Sequence, residues 1–127
     1  MHKLKEIREY ESTRDLIFQN INTQTIDICF DDSELLSIDN FDFVKEGNTY
    51  ECSIFLFGNI DEMGERFYII GSDYIGNRRL TKLKNEIGDS YFISYTGLEE
   101  DTTINYSYTR KDIIKVDAKI HPDFMEC

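Results

Sequence analysis

The chain has 127 residues, 40% of them hydrophobic and 13% aromatic, and a formal net charge of −11. That size suits one domain over 1–127, and the apolar content excludes a disordered acidic tail. The polar N-terminus leads into no apolar segment and no apolar run approaches a membrane span, so a cytoplasmic protein is expected.

Leu4 and Ile7 sit at helical spacing and permit a short N-terminal helix, with 1–11 and 120–127 read as loose termini. Asp15 to Gln19 and Thr25 to Phe30 flank the polar link Asn20-Ile21-Asn22-Thr23, which predicts a β-hairpin. In its second arm Ile26, Ile28 and Phe30 alternate with Asp27, Cys29 and Asp31, so the apolar set is expected in the core and the acids in water. The stretch from Asp31 to Asn40 reads as a loop with room for one helical turn at Leu35 and Leu36. Gly47-Asn48 precedes Thr49 to Phe57, a β-branched and aromatic run that predicts a central strand. Gly58-Asn59 is expected to end it, and Glu65 to Ile70 to return as its antiparallel partner.

One helix is predicted over 78–87. Asn77 is placed to cap it, Leu80, Leu83 and Ile87 fall on one face, and Gly88 suits the stop. Its outer side would carry Arg78, Arg79, Lys82 and Lys84. Strands follow at Tyr91 to Tyr95 and Thr102 to Thr109, joined by the turn Gly97 to Asp101, with a short one at Ile113 to Val116. The fold class is therefore mainly β (α+β): a small antiparallel barrel or a strongly twisted sheet with one inserted helix. A helix between two strand pairs resembles, in element order, a five-stranded oligonucleotide-binding barrel.

Cys29, Cys52 and Cys127 are odd in number and show no close-paired spacing, which predicts reduced thiols and no disulfide framework. Paired cysteine and histidine ligands are missing, the acids fit no EF-hand loop, and the glycines form no phosphate cradle, so no metal and no cofactor is expected. Only His2 and His121 are available for proton transfer, both near the ends, and an enzyme is not expected. The single alanine and single proline, with abundant isoleucine, asparagine and lysine, suggest a bacterial or phage source.

The feature left over is segregated charge. Between Asp27 and Glu65 lie eleven acids opposed only by Lys45. Such a field steers basic partners and repels nucleic acid. Small, single-domain, acidic and cytoplasmic is the profile of an immunity protein that neutralises a bacterial toxin of the nuclease type. A phage-encoded nucleic-acid mimic is the alternative. A small β-barrel module binding nucleic acid or a peptide, with Arg78, Arg79, Lys82 and Lys84 as phosphate contacts and Tyr91, Tyr95, Tyr106 and Tyr108 as stacking rings, is the reading of a different class. The expected contacts with a basic protein partner are Asp31, Asp32, Glu34, Asp39, Asp42, Asp61 and Glu62, with Phe41 and Phe43 as candidate anchors.

Overall fold

A computed structural model describes residues 1–33 and 40–126. Glu34, Asp39 and the helical turn expected at Leu35 and Leu36 lie outside the described residues, as does Cys127. The elements are β1 (His2–Glu9), β2 (Arg14–Asn20), β3 (Ile26–Asp31), β4 (Thr49–Tyr50), β5 (Cys52–Ile75), β6 (Arg78–Lys84), β7 (Ser90–Ser94), β8 (Thr103–Val116) and β9 (Lys119–Ile120), followed by a 3-10 turn at Pro122–Phe124. They form one mixed sheet in the order β4-β1-β2-β3-β8-β5-β6-β7, with β9 on β8. The sheet is mainly antiparallel and is not closed. Among the described residues no helix is long and apolar enough to cross a membrane.

Both predicted helices are strands. Leu4 and Ile7 do turn to the same side, but through a bulge between Leu4 and Glu6 in the β1–β2 ladder, which shifts the alternation by one residue. In β6, Leu83 enters the main core and Leu80 enters a second cluster with Ile75, Phe92, Ile114 and Phe124. Residues three apart face opposite sides of a strand. Here both sides are apolar, so the spacing that reads as one helical face is two strand faces. Gly76 and Asn77 form the two-residue turn between Ile75 and Arg78, with Gly76 at φ 59°.

The N-terminal end expected to be loose is a strand of the sheet, and the described part of the C-terminal end packs back against it. β1 pairs with β2 from His2 to Glu9. At the other end the chain folds back, where Asn77 donates its backbone N–H to Phe124 O and its side-chain amide to Met125 O. This return segment, carrying Ile120 and Phe124, covers the second cluster.

The predicted central strand is central but far longer than expected. Gly58-Asn59 does not end it: β5 continues for 24 residues, and the segment Glu65 to Ile70 is its own continuation. Gly58 lets the two longest strands touch, since a Cβ there would lie 1.9 Å from Ser107 O; at Gly64 it would lie 2.3 Å from the carbonyl carbon of Tyr106. Ile60 and Glu65 both pair with Tyr106, so Asp61 to Gly64 are expelled from the ladder as a four-residue excursion.

The β2–β3 hairpin forms where the sequence predicts it, yet its second arm faces the other way. Ile26 and Ile28 are 47% and 50% exposed, while Asp27 and Asp31 are 1% and 2% exposed. The cause is what meets each side. Leu16 and Phe18 on β2 point into the core, and the residues opposite them are Cys29 and Asp27. Cations follow the acids inward: Arg14 Nε reaches Asp31 at 2.8 Å, and Lys111 Nζ reaches Asp27 at 2.6 Å.

Candidate partner-binding surface

The face of the sheet opposite the main core is organised as rows across the strands. Register puts Arg8, Asp15 and Phe30 side by side on β1, β2 and β3, then Asp112 on β8, Phe55 on β5 and Phe92 on β7. Directly opposed residues share a face, so this is one continuous stripe. A second row runs from Ile17 to Ile28, and Arg110 stands opposite Phe57. The C-terminal return covers the Phe55 and Phe92 end through Phe124, whose ring lies 5.9 Å from that of Phe55. The other half stays open, with Ile26, Ile28 and Phe57 exposed and Phe30 half-buried.

Arg110 anchors the open half. Its guanidinium lies 4.5 Å from the Phe30 ring and 4.8 Å from the Phe57 ring, and it donates to both oxygens of Asp112 at 2.5 and 3.0 Å. The paired carboxylate raises its already high pKa, so the charge is permanent.

Beside it β3 and β8 form a fork. Their parallel ladder has two residue pairs, Cys29 with Lys111 and Phe30 with Asp112. β8 slips by one residue opposite Phe57 and Gly58, leaving Thr109 unpaired, and a bulge of this kind bends its strand. The result is a groove of about 500 Å³ between Ile26, Ile28 and Phe30 on one wall and Tyr108 to Lys111 on the other, with Asp15 at its rim. Lys111, one of the lining residues, is tied to the inner side of the sheet. Asp27 Oδ1 accepts from Lys111 Nζ at 2.6 Å and from the Tyr91 hydroxyl at 2.8 Å. Burial disfavours the Lys111 charge, but the hydrogen bond and charge of Asp27 outweigh it and the ammonium pKa is raised. Burial, then the same carboxylate, pushes the Tyr91 hydroxyl far upward.

Among the described residues the acids proposed as contacts do not form one surface: one is buried and the others fall into two groups. Asp31 is a correction: it is buried against Arg14 and accepts the Ser33 N–H, so it offers nothing to a partner. Asp32 is half-buried and meets His121 Nε2 at 2.7 Å. Asp42 is exposed next to Phe41, which bonds Ser33 and Arg14 and whose ring lies 6.3 Å from that of His121, so Asp42 stands at the same end of the sheet as Asp32. Asp61 and Glu62 belong to the excursion from β5. Asp61 accepts from the Met63 N–H and the Ser107 hydroxyl, bonds that lower its pKa. Phe41 is fully buried and Phe43 is exposed. No family model, curated protein or solved structure matches this chain.

The basic cluster predicted on a helix is divided by strand alternation. Lys82 stands opposite Phe92, whereas Arg79 stacks on Tyr95 at 4.1 Å and bonds Ser72. Tyr91 and Tyr106 are buried. His121, near the C-terminal end, is buried. Its Nδ1 accepts from the Asp123 N–H, which leaves the proton on Nε2 for Asp32. Sequence reasoning missed the open face because the alternation of β3 looks the same whichever side is buried.

Proposed function

We propose that this protein is a non-catalytic, cytoplasmic binding protein that masks a surface of a basic protein partner, in the manner of an immunity protein neutralising a bacterial toxin. The observation that carries this reading is the open half of the outer sheet face, where Ile26, Ile28 and Phe57 lie exposed around a fixed arginine. Contiguous exposed apolar residues with arginine and aromatics are the composition of interface centres, and a soluble domain gains nothing from leaving them wet. The net charge of −11 supplies the preference for a basic partner and a salt-sensitive association rate.

In this reading the partner contacts the sheet face and the acids steer it. The nucleic-acid-mimic alternative gains little from described acids that fall into two groups, Asp32 with Asp42 and Asp61 with Glu62.

Affinity measurement on the purified pair, after co-purification from the native host has identified the partner, is the test. The variant Ile28→Lys/Phe57→Lys is expected to weaken binding about 100-fold or more through faster dissociation. Reversing Asp42 and Glu62 to lysine should slow association at low salt and change dissociation little. If the acid reversals abolished binding and the face variant bound normally, the acidic surface would be the contact and this reading would fail.

A further inference from the structure

The groove between β3 and β8 has one charge left over, and that charge specifies what it takes. Two cations line the groove, and each already has a carboxylate: Arg110 is held by Asp112 and Lys111 by Asp27. Arg8, across from Asp15 on β1 and outside the groove, is held by Glu6. Asp15, half-buried at the rim, has no ion pair among the described residues. Its carboxylate accepts only the Tyr10 hydroxyl, at 3.1 Å. The walls beside it are the exposed side chains of Ile26 and Ile28 and the half-buried rings of Phe30 and Tyr108. The site is thus an apolar cleft with an anion at one rim that has no ion pair among the described residues, and with its lining cations committed to other carboxylates.

We infer that this groove seats an apolar side chain of the protein partner followed by a basic one, the apolar group between Ile26, Ile28 and Tyr108 and the cation on Asp15. The inference rests on the binding reading above and names the chemistry recognised at that surface. Charge complementarity excludes the opposite pairing, because an acidic group at this rim would meet Asp15 and find Arg110 and Lys111 already engaged. An arginine suits the rim best, since its planar fork can bind the Asp15 carboxylate bidentately while its stem lies on isoleucine. Nucleic acid does not fit, for its phosphates would displace Asp112 and Asp27 from their cations and face Asp15 uncompensated.

The probe is the blocked dipeptide acetyl-Phe-Arg-amide, titrated into the isotope-labelled full chain and followed by backbone amide chemical shifts. The expected result is weak, saturable binding that moves the amides of Asp15, Ile26, Ile28, Tyr108 and Arg110 together. Acetyl-Phe-Glu-amide should produce no saturable change there. Asp15→Asn should weaken the arginine probe about tenfold and leave the fold intact, as its spectrum will report. Ile28→Lys should abolish binding. Shifts scattered over exposed carboxylates, equal binding of the two dipeptides, no binding, or indifference to Asp15→Asn would each overturn the inference. If the dipeptide failed while the partner still depended on Ile28 and Phe57, the assigned chemistry would fall and the binding surface would stand.

Discussion

At the scale of single residues, the polar groups brought inside decide how the protein responds to acid. His2 is buried with no hydrogen-bond partner for its Nδ1 among the described residues, its ring is edge-on to Phe18, and burial lowers its pKa. The folded state therefore holds the neutral ring, and its contribution is complete above about pH 6.5 and lost as the pH falls toward the lowered value. Asp89 behaves differently. Burial works against its charge, but hydroxyls of Thr23 and Thr25 and the Asn85 amide donate to it and lower its pKa on balance. Its contribution persists above about pH 4 and is lost as the pH falls below that. Urea midpoints measured from pH 8 to pH 3 should fall in two stages. His2→Phe, which keeps the ring contact and removes the orphan nitrogen, should erase the upper stage. Asp89→Asn should lower stability at neutral pH and flatten the lower stage.

At the scale of elements, the long pairing of β5 with β8 depends on positions that carry no side chain. A methyl group at Gly58 or Gly64 would occupy the space of the β8 backbone, which cannot retreat without losing its ladder. Gly58→Ala and Gly64→Ala are each expected to cost about 3 kcal/mol or more, measured by chemical denaturation. In the sequence these glycines look like strand terminators, because glycine followed by polar residues usually marks a turn. They mark a close approach of two backbones instead, and only the partner strand, some fifty positions away, distinguishes the two. The same limit explains β6. Its leucines satisfy a helical period and a strand with two buried faces equally well, and the choice falls to Phe92 and Phe124 on one side and the main core on the other.

At the scale of the whole molecule, the first three strands and the rest of the sheet meet at the short β3–β8 ladder, and side chains reinforce what the backbone does not. Asp27 and Lys111, 84 positions apart, tie the two halves beneath the groove. Replacing Lys111 with methionine leaves a buried carboxylate with the Tyr91 hydroxyl alone and should cost about 3 kcal/mol. Asp27→Leu/Lys111→Met should recover most of that loss, since no unpaired charge remains. A double variant as unstable as the single one would show that the pair acts through packing, and equilibrium unfolding of the three proteins distinguishes these cases.

The sequence alone determined what is local. The β-branched and aromatic runs form strands, the Asn-rich link closes the β2–β3 hairpin, and the mainly β class follows because these preferences act between near neighbours. The acidic excess is likewise plain from composition. Tertiary structure decided everything that depends on which side of a strand meets the core. It turned Asp27 and Asp31 inward to Lys111 and Arg14, left Ile26 and Ile28 outside, and set Asp61 and Glu62 on an excursion from β5. The physical reason is that strand alternation is symmetric: a period of two marks two faces, and only the residues packed against each one settle which is buried.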